Sequence, residues 1–205
     1  MNESTGSEKR AQILDAAQKR FAHYGISKVT MDEIAADLGM SKAALYYYFK
    51  TKEEVFRDVV VREQALFVES AERILAKKSA AGAKMREYCR QRLDYIFERT
   101  GLKLLGIEAW SEARPLIGDL IQSFFLKEQE ILLRIIKEGK KSGEFRVEST
   151  EKTAAVILHA VHGLRLRMFK NFNDYASFQE LLPQLREETD LLIDLILHGL
   201  ALRSH

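Results

Sequence analysis

The chain has 205 residues, enough for one or two compact units with a sizeable core. Its 32 Lys and Arg stand against 30 Asp and Glu, a formal net charge of +2, which excludes a strongly charged tail and leaves any nucleic-acid surface to the placement of charges. One cysteine, Cys89, excludes an internal disulfide and a cysteine-built zinc site; with no signal-peptide core and no run of 18 apolar residues, the expectation is a soluble, cytoplasmic protein without a membrane span.

Apolar residues recur with a period near 3.6 along most of the chain, only Pro115 and Pro183 interrupt it, and no run of hairpin-linked strands is visible, so the predicted fold is all-α. Residues 1–8 are polar and read as an arm. The first helix carries Ile13, Ala17 and Phe21 on one face and stops at Gly25. Thr30 stands three before Glu33, a capping box for a short helix with Ile34, Ala35 and Leu38 inward, and Gly39 ends it. Ser41 caps the next short helix, which runs to about Lys50; Thr51 and Glu54 repeat the capping-box spacing and open a longer helix. Two short helices on a glycine turn, braced by a longer one before them, are a helix-turn-helix plan.

The decamer SKAALYYYFK, residues 41–50, sorts into two faces at about 100° per residue. Leu45, Phe49 and Tyr48 form an apolar side, while Ala43, Tyr47 and Lys50 form the other, with Lys42 and Tyr46 at the margin. Ala43 and Ala44 let a helix start approach base edges, and tyrosine hydroxyls and lysines reach phosphates. Lys42 is early enough for either target, and Lys52 opposes the dipole of the next helix, as an anion-facing cation does. Tyr46 and Tyr48 serve equally as core residues, and the lysines as ordinary solvated charges.

Residues 13–56, with Thr30, Ile34, Ala35, Gly39, Ser41, Leu45, Tyr46, Phe49 and Lys52 in this spacing, resemble the DNA-binding domain of the TetR family of bacterial transcriptional regulators. The resemblance implies an all-helical homodimer whose paired recognition helices enter successive major grooves of a near-palindromic operator. It implies phosphate contacts for Thr30, Tyr46, Tyr47 and Lys52, base contacts for Lys42, Ala43 and Ala44, and a place near the backbone for Tyr48. Ala43 and Ala44 stand where Gly and Thr are common in the family. The predicted division is a DNA-binding domain over 1–52 and a ligand-binding and dimerisation domain over 53–205. The resemblance further implies a repressor released by a small molecule.

Beyond residue 52 long helices follow, with breaks near KKSAAG, RTG, ARP and KEGKKSG. Tyr88, Cys89, Tyr95, Phe97, Trp110, Phe124 and Phe125 either line a largely apolar effector pocket or fill a core. Glu108, on an apolar helix, pairs internally, binds a polar ligand group or points outward. His159 and His162 share a helical face as core or pocket-edge residues, with no third ligand in view for a metal. The last two helices, the second placed after Pro183, are nearly apolar all round and predict a homodimer interface. No glycine-rich phosphate loop, His–Glu metal motif or nucleophile–base pair is evident, so neither an enzyme nor a cofactor is expected. Two other readings are a transcriptional activator with the same head and a helical interaction module that does not bind DNA.

Overall fold

The computed structural model describes residues 3–95, 107–169 and 175–201, with side chains over 6–95, 114–164 and 182–201. Among these residues the chain is all-α, in the order α1 (Glu3–Tyr24), α2 (Met31–Asp37), α3 (Lys42–Tyr48), α4 (Lys52–Leu75), α5 (Ala81–Asp94), α6 (Ile107–Ser142), α7 (Thr150–Phe169) and α8 (Tyr175–Leu200). A small N-terminal helix-turn-helix unit, α1–α3, precedes a larger helical unit.

The N-terminal core forms where α1, α2, α3 and the start of α4 turn their apolar stripes inward. Ile13, Ala17, Ile34, Leu45, Phe49, Val55 and Phe56 are fully buried there, and Phe21 meets Phe56 edge to face at 5.4 Å. Gly39 takes φ +60 in the turn between α2 and α3, a left-handed conformation that any side chain would strain. The second core gathers Phe67, Ala71 and Ile74 of α4 with Met85 and Tyr88 of α5, Leu132 and Ile135 of α6, Leu158 of α7 and Ile193 of α8. Helix α4 therefore belongs to both clusters and joins them as a continuous rod, as the unbroken pattern after Thr51 predicts.

Several boundaries differ from the sequence reading. Helix α1 begins at Glu3, so most of the expected arm is helical: polar residues extend a helix once an amphipathic stretch has nucleated it. The ARP break is a kink rather than an end, with Pro115 inside α6 and Ile117 at φ −128, ψ 15. Ile117 is buried in the N-terminal core, which anchors the kinked turn. Pro183 lies inside α8, which starts eight residues earlier at Tyr175; buried Leu182 and Leu185 flank the proline and hold the run together. The KKSAAG break falls between α4 and α5, and KEGKKSG ends α6 only at Gly143, with φ +81. The RTG segment lies outside the described residues.

Helices α5 and α8 are laced antiparallel by three ion pairs. Arg86 meets Asp194, Arg90 meets Asp190 at 2.7 Å and Asp94 meets Arg186 at 2.8 Å. The spacing of four on each helix keeps all three on one seam. No described helix is long and apolar enough to cross a membrane.

Candidate functional site

Helix α3 is short, so its ends and its buried side determine where it points. Ser41 Oγ accepts the Ala44 N–H at 3.2 Å, satisfying an orphan donor of the first turn. Leu45 and Phe49 anchor it from below, and Arg10 on α1 donates to the carbonyl of Tyr48 at its far end. The preceding helix is set by the reciprocal box that its sequence announces: Thr30 Oγ1 accepts the Glu33 N–H at 3.3 Å, and Glu33 Oε2 accepts the Thr30 N–H at 2.8 Å. At α4 only half of the expected box forms. Thr51 Oγ1 accepts the Glu54 N–H at 3.1 Å, but the Glu54 carboxylate takes the N–H of Lys50 at 2.7 Å instead of that of Thr51. That bond ties the end of α3 to the start of α4.

The outer side of α3 carries the residues singled out from the sequence. Tyr47 is 70 % exposed, Lys42, Ala43 and Lys50 are exposed, and Ala44, Tyr46 and Tyr48 are half-buried. Tyr46 and Tyr48 pack against the core from this margin, and Tyr47 meets Tyr48 edge to face at 5.3 Å. The amines are lightly tethered: Lys42 Nζ to Asp32 Oδ2 at 3.0 Å, Lys50 Nζ to the Tyr46 carbonyl at 3.1 Å, and Lys52 Nζ to the Ser27 carbonyl at 3.3 Å. The hydrogen bond that Lys42 donates to Asp32 raises the Lys42 pKa, so this amine is fully charged. These contacts bring Lys42 and Lys52 beside the α1–α2 turn and the start of α2, where exposed Thr30 stands.

The larger unit contains a buried polar cluster. Glu128 on α6 is fully buried, and Arg92 on α5 donates to it through Nε and, at 3.1 Å, through Nη2. The Tyr88 hydroxyl donates to Oε1 at 3.3 Å, and His162 Nε2 lies 3.2 Å from Oε2. Burial pushes the Glu128 carboxyl upward, but the Arg92 charge and the hydrogen bonds from His162 and Arg92 outweigh it and leave the pKa at about 2. Burial and the same negative charge raise the Tyr88 phenol well above its ordinary value and the Cys89 thiol to about 12.

Of the residues named as pocket candidates, Tyr88, Cys89, Tyr95 and Phe124 are buried in this core. Phe125 is half-buried, stacked on exposed His159 at 5.4 Å and edge-on to His162 at 5.5 Å. Phe97, and the side chains of Glu108 and Trp110, lie outside the described residues. Arg92 and Glu128 were missed by sequence reasoning. Their signal was a charge inside an apolar stripe: Glu128 follows Phe124 by four and precedes Leu132 by four, and Arg92 follows Tyr88 by four. Among the described residues no group of three or more His, Cys, Asp or Glu is placed to hold a metal ion.

A short helix set on a glycine turn, buried on one side and bearing phenols and amines on the other, defines a helix-turn-helix DNA-binding regulator. Residues 13–59 match the family model of bacterial regulatory proteins of the tetR family. The crystal structure of a transcriptional regulator from Cytophaga hutchinsonii superposes with a TM-score of 0.84 at 33 % identity, over 95 % of this chain and 99 % of that one. The HTH-type transcriptional regulator YhgD of Bacillus subtilis is 26 % identical over 155 residues, 74 % of this chain and 79 % of the relative. A complex of SmeT with triclosan shares the fold at a TM-score of 0.69 and 20 % identity, over 95 % of this chain and 92 % of that one. The chain belongs to the TetR family of transcriptional regulators.

Proposed function

We propose that the chain is a ligand-responsive repressor that binds a palindromic operator as a homodimer and is released by a small, largely apolar effector. The observation that carries this reading is the outer side of α3. Tyr47, Lys42 and Lys50 project from a helix clamped beneath by Leu45 and Phe49, so rigid backbone presents polar groups that contribute nothing to the core. Thr30, Tyr46, Tyr47, Tyr48, Lys50 and Lys52 contact phosphates and sugars, while Lys42, Ala43 and Ala44 face base edges. The DNA-binding domain occupies residues 1–52, the remainder forms the ligand-binding and dimerisation domain, and the protein works in the cytoplasm.

Dimerisation is assigned to α7 and α8. Val156, Leu191 and Leu195 are 65 %, 61 % and 62 % exposed, apolar surface that the matching helices of a second copy would cover. The triclosan complex of SmeT supports a small, largely apolar effector, and the core of the larger unit, with Phe67, Tyr88 and Phe124 buried in it, is the apolar surface assigned to it.

The test is footprinting of the full chain on its own upstream DNA at two salt concentrations, beside a Tyr47→Phe/Lys52→Ala variant. A short palindromic footprint that fades with salt and weakens in the variant is the expected result. Equal protection by the variant would remove α3 from the interface.

A further inference from the structure

The side of the N-terminal unit that carries the phenols and amines also carries a carboxylate. Asp32, in the first turn of α2, meets Lys42, at the start of α3, at 3.0 Å, with side chains 60 % and 61 % exposed. The other acids nearby are turned elsewhere: Glu33 bonds back to Thr30, Asp37 holds Arg20 and Glu54 takes the Lys50 N–H. An ion pair this exposed contributes little to stability, so the fold does not require it. On a surface that meets phosphates, a carboxylate also weakens binding to every sequence alike. Its place there has a reason if it helps to choose the sequence, since specificity is built from repulsion of wrong partners as well as attraction of the right one.

The pair is held in one place. The Lys42 amine lies 5.9 Å from the centroid of the Tyr46 ring, one turn further along α3, so it is kept between that ring and Asp32. Ala43 and Ala44 follow, and neither has a side-chain atom beyond Cβ to hold the groove floor away. A donor and an acceptor thus stand side by side between the starts of α2 and α3. An ammonium has three donors and a carboxylate about four lone-pair sites, so the pair persists while both groups reach outward.

Such a couple matches one base pair better than its alternatives. Across the major groove G·C presents the guanine acceptors N7 and O6 and then the N4 donor of cytosine. O6 and N4 are bonded to each other at about 2.9 Å, which is the spacing of the amine and the carboxylate. The amine donates to N7 and O6, and the carboxylate accepts from N4. A·T and C·G both set a donor against the amine and an acceptor against the carboxylate. T·A offers the amine one acceptor only and places adenine N7 beside the carboxylate.

We propose that Asp32 and Lys42 act together as the reader of a single G·C pair in each operator half-site, Lys42 selecting the guanine and Asp32 the cytosine. The proposal rests on α3 being the DNA-reading helix and adds to it a specificity residue from α2.

The test is selection of binding sites from a pool of randomised duplexes by the full-length protein, then titration of the selected site with each base pair changed in turn. The wild type is expected to show one G·C position per half-site whose replacement by any other pair weakens binding by about tenfold or more. Asp32→Asn, whose amide has the same size and offers either a donor or an acceptor, cuts that penalty to about threefold or less. Lys42→Met relaxes the same position, and the two effects do not add. Preferences at the other positions hold in both variants. A variant at Asp32 that binds every site more tightly with unaltered preferences would make the carboxylate a bystander charge and overturn the proposal. Relaxation of different positions by the two variants would do the same. A selected site without such a G·C position refutes the couple alone, whereas selection that enriches no duplex overturns the DNA-reading role of α3 along with it.

Discussion

Arg10 and Tyr48 lie 38 residues apart, and the guanidinium of one closes the last turn of the helix that carries the other. Arg10 Nη1 donates to the Tyr48 carbonyl at 3.0 Å, Nη2 reaches Asp58 on α4 at 2.5 Å, and the guanidinium carbon sits 4.1 Å from the centroid of Phe49. A cation at a helix C-terminus complements both the dipole and the unpaired carbonyls there. One side chain of α1 thus ties α3 to α4 and sets the direction of the proposed reading helix.

Replacing Arg10 with Met keeps an apolar stem over Phe49 and removes the donors. With the side chain 41 % exposed, the expected loss of folding stability is only about 1 kcal/mol. Operator affinity is expected to fall further, by about tenfold, because a misdirected helix loses several contacts together. Denaturant midpoints and a DNA titration on the same preparation separate the two effects, and unchanged affinity would show that α3 is aligned without Arg10.

Tyr47 and Lys50 lie outside the core, so Tyr47→Phe and Lys50→Ala are expected to leave stability within about 0.5 kcal/mol of the wild type. Both are expected to weaken DNA binding. Lys50→Ala also lowers the slope of log affinity against log salt by about one per protomer, as loss of a phosphate contact does. A slope identical to that of the wild type would make Lys50 a solvated charge.

The Glu128 pKa of about 2 lies below the ordinary glutamate value of 4.5, so its ionised form is favoured by folding. The stability it contributes is complete above the unfolded value and is lost as pH falls from about 4.5 towards 2. Asp119, held at about 2 by its hydrogen bonds from Arg57, titrates in the same window. Urea unfolding at pH 7 and pH 3 is therefore run beside Arg92→Met/Glu128→Gln, which is expected to show the smaller drop. Glu128→Gln alone, which leaves Arg92 buried against a neutral partner, costs about 3–5 kcal/mol at pH 7.

Leu191 and Leu195 are spaced by four on the exposed side of α8. A Leu191→Arg/Leu195→Arg variant is expected to keep its helix content and sediment as a monomer where the wild type sediments as a dimer. An unchanged sedimentation coefficient would move the interface elsewhere.

Cys89 is buried and its thiol is pushed up to about 12, so thiolate is scarce at neutral pH. Reaction with a chromogenic disulfide reagent at pH 8 is expected to be slow in the folded protein and fast in urea. Fast reaction without denaturant would mean that the core around Tyr88 opens readily.

Much of the N-terminal unit was legible because its signals are local. Thr30 with Glu33, Ser41 with Ala44, and the glycines at 25 and 39 act within about four residues, the range over which helix ends are decided. The burial of Leu45 and Phe49 against the exposure of Tyr47 follows from helical period alone. The helix boundaries that differed, at Glu3, Pro115 and Pro183, are places where local propensity is weak or adverse and distant packing prevails.

By itself the sequence determined the all-helical class, the helix-turn-helix punctuation and which side of α3 turns to solvent, since each depends on residues within a turn or two of one another. Only the tertiary structure decided that Arg10 closes α3, that Arg92 pairs with Glu128 inside an aromatic cluster, and that Arg90 laces α5 to Asp190 on α8. Those partners are separated by 38, 36 and 100 residues, and they meet because packing two apolar cores brings particular faces of distant helices together.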